Sequence, residues 1–253
     1  MKTMKKLVST SGLSHEDWLR YRKLGIGGSD AGAICGLNPY VTAMQVYRDK
    51  TSDDTDDTDN EAMRQGRDLE EYVAQRFMEA TGKKVRRANA IFYKEDHPFM
   101  LANVDRLVVG EDAGLECKTA SPYMADKWKD GGIPMHYQIQ CHHYMAVCDA
   151  KAWYIAVLIY GKEFMFHRIE RDEGIITDLI QIEKDFWENN VLGHRLPDPD
   201  GSKAADRVIA SYFKETDPTP ILLPSSFDGE LERRQALISS IDEMEREKKQ
   251  IEQ

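Results

Sequence analysis

The segment ANVDRLVVGEDAGLECKTA, residues 102–120, constrains the fold more tightly than any other stretch of this chain. Two short apolar runs flank a turn containing Gly and Asp, which predicts a β-hairpin. Glu116 follows Asp105 by eleven positions, and folding back sets residues distant in sequence opposite each other. Because strand side chains alternate, Glu116 and Lys118 share one face and Cys117 points to the other. Two acids and a lysine then occupy one small volume. Carboxylate oxygens in such a place suit a hard cation such as Mg²⁺, with Mn²⁺ able to substitute. A lysine beside them can hold or deprotonate a water. A surface hairpin with an ordinary salt bridge is the plainer reading of the same residues.

The neighbouring segments predict a mixed central β-sheet flanked by helices, an α/β fold with a helical tail. Residues 14–25 read as a helix with a Ser14 cap and acids in the first turn. The glycine-rich GIGGSDAGAICG, residues 25–36, leads through Ser29 into a small-residue helix; it is either a phosphate-holding turn or a capped turn and no more. One long helix is expected from Asn60, with Met63, Leu69, Val73 and Phe77 on one stripe, Glu70 at its border and Gly82 as the stop. Strands follow near 90–95, 99–109, 114–120, 152–161 and 164–171. A helix over 134–150 sets Gln140 and Tyr144 four apart on one face, within reach of each other or of a shared ligand. Another helix runs over 176–191. Adjacent His142 and His143 diverge by about 100° on a helix and cannot both serve one ion.

The 253 residues suffice for one core with an appendage: a catalytic domain over 1–195, a proline-containing linker over 196–227, and a charged, coiled-coil-like helix over 228–253. The sequence has no apolar run long enough to span a bilayer and no signal-peptide core, so a cytoplasmic location without membrane attachment is expected. Cys35, Cys117, Cys141 and Cys148 form no C-x-x-C pair, and no Fe–S cluster is expected. The formal charge of -10 is concentrated. Residues 53–61 hold six acids and no base, and residues 203–253 hold 11 acids against 8 bases, which leaves the rest at -1. Basic groups at Arg20, Arg22 and Lys23, at Lys83, Lys84, Arg86 and Arg87, and at Lys127 and Lys129 are compatible with a phosphate backbone.

These signals occur in an order that is itself informative: W-L-R-Y-R-K-L-G-I-G-G-S-D-A, then Q-G-R-D-L-E, N-V-D-R-L, L-E-C-K and Q-C-H-H-Y. Over roughly residues 13–190 the chain resembles the YqaJ-like viral recombinase nucleases, relatives of phage lambda exonuclease in the PD-(D/E)xK superfamily. The resemblance implies that Asp105, Glu116 and the Cys117 carbonyl bind divalent metal, with Glu70 as a further acid. It implies that Lys118 positions the nucleophilic water, with Gln140 on the facing helix and Tyr144 as support. Arg22 and Ser29 match positions that hold the 5′-phosphate of a DNA end. Asp105 follows Asn103-Val104 rather than the usual proline, which shapes the turn but donates no ligand. The implied activity is Mg²⁺-dependent 5′–3′ digestion of linear duplex DNA, leaving 3′ single strands for an annealing protein in phage or prophage recombination. An oligomer, a trimeric ring in lambda exonuclease, is implied as well. An endonuclease on the same core, or a catalytically weak DNA-binding or assembly protein, are the alternatives.

Overall fold

The computed structural model describes residues 4–52, 60–212 and 220–253, so most of the acidic stretch read as a loop, residues 53–59, lies outside the described residues, as does Pro218 of the expected linker. Two compact units are distinguished, Met1–Tyr212 and Phe213–Gln253.

In the first unit, β1 (Lys5–Ser9) precedes α1 (His15–Lys23), β2 (Ile26–Gly27), α2 (Gly28–Ile34) and α3 (Ala43–Thr51). Then come α4 (Glu61–Thr81), β3 (Val85–Arg87), β4 (Ala90–Lys94), β5 (His97–Asn103), β6 (Arg106–Val108) and β7 (Ala113–Ala120). A 3₁₀ segment (Pro122–Gly131), α5 (Met135–Cys148), β8 (Ala152–Ile159), β9 (Glu163–Glu170), α6 (Glu173–Asp185) continuing into a π-helical segment (Phe186–Leu192), and α7 (Lys203–Tyr212) complete it. Helix boundaries follow capping chemistry. The Ser14 hydroxyl accepts the Asp17 amide, and acids open α1 while Arg20, Arg22 and Lys23 close it, matching the helix dipole. Asn60 caps α4, and Gly82 ends it at φ 69°, a left-handed conformation that glycine adopts without strain.

There are two mixed sheets rather than one. One has the order β3-β6-β7-β8-β9, with β7 and β8 parallel and its other pairs antiparallel. The other runs β1-β4-β5-β2. Helix α4 covers one face of the larger sheet, packing Val73, Ala74 and Phe77 on Val108, Leu115, Tyr154 and Ala156. Helix α5 lies between the sheets, packing Cys141, Tyr144, Met145 and Cys148 against Trp153 and Ile155 on one side and Phe92, Met100 and Ala102 on the other. Ten of its fourteen residues are buried, so its polar side chains must find partners inside. His143 does so, with one ring nitrogen donating to the Leu101 carbonyl at 2.8 Å and the other 2.7 Å from Glu183 Oε1 of α6.

The strand expected over 99–109 is interrupted. Strand β5 ends at Asn103 in one sheet and β6 starts at Arg106 in the other, so Val104-Asp105 is the crossing point between layers. Residues 196–227 differ from the expected linker: α7 lies inside that range and buries Ala205 and Val208 against Met44 of α3. The proline and glycine spacing hid a helix whose apolar face is only two or three residues wide. Strand β1 and helix α3 also carry no strong periodic signal and are set by tertiary pairing. In the second unit, α8 (Asp228–Glu252) has no buried residue.

Gly114 of β7 lies against a fully buried indole: a Cβ there would stand 2.2 Å from the Trp153 ring. Overpacking of this kind costs about 1–3 kcal/mol. Gly114→Ala should lower the thermal midpoint by several degrees, read by circular dichroism, and an unchanged midpoint would show that the indole has room to move.

Candidate active site

Register places the candidate acids. In the β6–β7 ladder Arg106 faces Leu115 and Leu107 faces Gly114. Past Arg106 the backbone pairing gives way to a side chain: an Asp105 carboxylate oxygen accepts the Cys117 amide at 2.8 Å. Asp105 is thereby tied across the hairpin at the level of Glu116. The Cys117 side chain packs toward α4, while Glu116 and Lys118 turn to the α5 side, as the alternation requires.

On that side Glu116 Oε1 accepts from Lys118 Nζ at 2.6 Å and from Gln140 Nε2 at 2.7 Å. Gln140 Nε2 also lies 2.9 Å from the Tyr144 hydroxyl, which in turn donates to the Asn103 carbonyl at 3.3 Å. The expected four-residue pairing of Gln140 with Tyr144 therefore exists, and it includes Glu116. Glu116 is only 4% exposed and its Oε2 is buried without a hydrogen-bond partner. Burial, then the Glu116 and Glu70 carboxylates, push the Asp105 carboxyl well above the usual carboxylate range. Burial pulls the Lys118 ammonium down, but Glu116, Tyr137 and Asp105 outweigh it and raise it above its ordinary value. Lys118 is thus held charged, with its Nζ 4.7 Å from the centre of the Tyr137 ring.

Glu70 is placed differently from the other acids. It comes from α4, across the sheet, and pairs with Arg106, which also bonds Glu71 at 3.0 Å and the Asp105 carbonyl at 2.8 Å. Arg106 is 3% exposed and escaped the sequence reading, although its position next to Asp105 on a strand points it at the α4 face. Among the described residues no group of three or more His, Cys, Asp or Glu side chains is set to hold a metal. What the site offers is two close carboxylates, one with an unpartnered buried oxygen. That oxygen-only, electrostatically strained donor set fits a hard divalent cation.

Arg22 and Ser29 come together as a pair, with Arg22 Nη2 donating to Ser29 Oγ at 3.2 Å. The guanidinium lies 4.7 Å from the Trp18 ring centre and 3.8 Å from Asp30. Asp30 is anchored by the buried Lys50 at 2.7 Å and accepts the Gly27 amide at 2.9 Å. Lys50 was not visible in the sequence as part of this group. The pair connects to the acids through packing: a Cβ on Gly28 would stand 2.5 Å from the Tyr144 ring, so only glycine lets α2 approach α5 this closely. Cys35, Cys117, Cys141 and Cys148 are free thiols.

A mixed sheet carrying an acid pair and a lysine two residues beyond the second acid, with a glutamine helix facing them, defines a core of the PD-(D/E)xK class. The match to the YqaJ-like viral recombinase domain model over residues 17–151, together with 39% identity to the uncharacterized protein YqaJ of Bacillus subtilis (strain 168), shows that the chain belongs to the YqaJ-like viral recombinase family. The alignment with that relative covers 97% of this chain and 78% of the relative. Among solved structures, an alkaline exonuclease (LHK-Exo) from Laribacter hongkongensis matches with a TM-score of 0.61 at 16% identity, covering 79% of this chain and 98% of that one. LHK-Exo in complex with dAMP gives a TM-score of 0.61 at 19% identity over 71% and 94% of the two chains. A phage-related exonuclease from Haemophilus somnus 129PT gives 0.53 at 12% identity over 70% and 99%. At these identities the structural matches establish the shared fold. No helix among the described residues is long and apolar enough to cross a membrane.

Proposed function

We propose that the protein is a divalent-metal-dependent deoxyribonuclease that digests linear duplex DNA from its 5′ ends and leaves 3′ single strands for annealing-type recombination. The observation that carries this reading is the Asp105–Glu116–Lys118 cluster, in which a buried acid keeps one oxygen without a partner beside a lysine held in its charged form. Asp105, Glu116 and the Cys117 carbonyl would hold the metal, Mg²⁺ or Mn²⁺, with Glu70, paired with Arg106 in this structure, as the further acid. When bound, the metal supplies charge stabilisation at the attacking and leaving oxygens. Lys118 orients the water that adds to phosphorus as the bond to the 3′ oxygen breaks; the water's proton passes to solvent, and the departing oxygen takes a proton from solvent to leave as a 3′-hydroxyl. Gln140 fixes the Glu116 carboxylate and Tyr144 fixes Gln140, so the acceptor oxygens are oriented before substrate arrives.

Arg22 and Ser29 bind the terminal 5′-phosphate and confine cutting to ends. The supporting geometry is their mutual hydrogen bond and the Gly28–Tyr144 contact that ties them to the acid site. The first compact unit, through Tyr212, forms the catalytic domain, and α8 is the tail that engages other chains, an annealing protein or further copies in a ring, in the cytoplasm of the host cell. The test compares matched DNAs. A 5′-phosphorylated linear duplex should be degraded at least about ten-fold faster than its 5′-hydroxyl counterpart, since a charged group held by Arg and Ser contributes about 1.5–3 kcal/mol. Covalently closed circles should survive; equal degradation of circles would convert the assignment to an endonuclease.

A further inference from the structure

A row of aromatic rings runs outward from the candidate catalytic lysine. Lys118 Nζ lies over Tyr137, the Tyr137 and His136 rings are 4.0 Å apart between centres, and Tyr40 meets His136 edge-on at 6.4 Å. The row begins in the site and ends in solvent, since His136 is 9% exposed and Tyr40 is 59% exposed. The Tyr40 backbone and the buried His136 are both held in place. Tyr40 sits in a turn where Asn38 Oδ1 accepts the Tyr40 and Val41 amides at 2.9 and 3.2 Å. His136 is braced by α2, where a Cβ on Gly32 would stand 2.8 Å from the His136 Cβ. Its Nε2 is nevertheless buried without a hydrogen-bond partner. A polar atom left unsatisfied at that depth is costly unless something occupies the space beside it.

We infer that the Tyr40 ring forms a ledge on which a nucleobase of the hydrolysed strand stacks, with His136, nearly perpendicular beside it, hydrogen-bonding the base edge through Nε2. The inference rests on the nuclease reading above and adds a base-binding subsite to it. Three features select a base rather than a phosphate as the occupant. The exposed member is an uncharged ring, and aromatic faces bind bases of any sequence by stacking. Burial, then Lys118 and Lys127, push the His136 imidazole down to about 4, so near neutrality it offers no positive charge to a phosphate. The ledge is also braced by the Ser29 helix: Gly32, which packs on His136, follows Ser29 by three residues, less than one turn. A phosphate at Ser29 and a base on Tyr40 would then belong to one strand, on two sides of the same helix–helix packing.

The test uses the full chain with Lys118→Ala, which holds substrate without cutting it, and a 5′-phosphorylated duplex carrying 2-aminopurine at its terminal nucleotides. Binding should quench the probe's fluorescence, Tyr40→Ala in that background should remove most of the quench, and Tyr40→Phe should retain it. In the cutting enzyme Tyr40→Ala should raise KM about ten-fold, the effect of losing one stacked base, while kcat stays unchanged. An abasic nucleotide at the same position should weaken the parent but leave the Tyr40→Ala variant unaffected. Because Tyr40 is exposed, its loss does not threaten folding; His136→Gln provides the second variant and should give a smaller rise in KM. Unchanged quenching and KM in Tyr40→Ala, with the parent still digesting linear duplex, overturns the ledge alone. A parent that neither binds nor digests duplex overturns the nuclease reading itself.

Discussion

Lys118→Ala should reduce hydrolysis of linear duplex DNA by about 10²–10⁴-fold, the usual range for a positioned proton-handling group, while duplex affinity changes by no more than a few-fold. The reason is positional. Lys118 is two residues beyond Glu116 on the same strand, bonded to it at 2.6 Å, and its charge is reinforced by Glu116, Tyr137 and Asp105 against the cost of burial. The buried Lys50 is committed to Asp30 and to the Arg22 carbonyl. The measurement is single-turnover cleavage of an end-labelled duplex beside a gel-shift titration, with circular dichroism to establish that the variant is folded. Persisting cleavage would remove Lys118 from the mechanism.

Asp105→Asn should abolish activity and yet stabilise the fold when divalent metal is chelated. In the native chain the Asp105 carboxyl is raised by burial and by Glu116 and Glu70, so its ionised form is disfavoured by the folded state. Asparagine removes that repulsion, and its side-chain oxygen can still accept the Cys117 amide. A gain of about 1 kcal/mol corresponds to about 2–4 °C in the thermal midpoint for a chain of this size. With Mg²⁺ present the ordering should reverse, because a ligand that binds only the folded parent stabilises the parent selectively. A variant less stable than the parent in chelator would mean that the acid pair contributes stability rather than costing it.

Much of this site was legible because its components are local. The D-x₁₀-E-x-K spacing needs only strand alternation and one hairpin to bring Asp105, Glu116 and Lys118 together, and Gln140 with Tyr144 needs only the helical repeat. Ser14, Asn60 and Gly82 announced their helix ends by capping chemistry that is nearly independent of tertiary context. What could not be read were pairings made across layers. Arg106 reaching Glu70, Lys50 under Asp30, and His143 with Glu183 join residues between 20 and 40 positions apart on elements whose relative placement no periodicity encodes. The second sheet was missed for the same reason. The run over 99–109 is apolar on both sides of Asp105, so it reads as one strand, and only the packing of α5 between two layers requires the chain to change sheets there. Helix α7 escaped because its buried face is Ala205 and Val208, too small a stripe to compete with the surrounding Pro and Gly.

The crossing at Val104-Asp105 makes the first acid a member of neither sheet and a hinge between both. Its separation from Glu116 is therefore not a property of the hairpin alone but of how firmly two stacked layers clamp α5. A core mutation on the smaller sheet, at Met100 or Ala102, would be transmitted as a displaced carboxylate, and on the proposed reading cation binding would fail at concentrations of denaturant where the helices and strands still stand. On the proposed metal-binding reading, affinity for the cation would gauge interlayer cohesion.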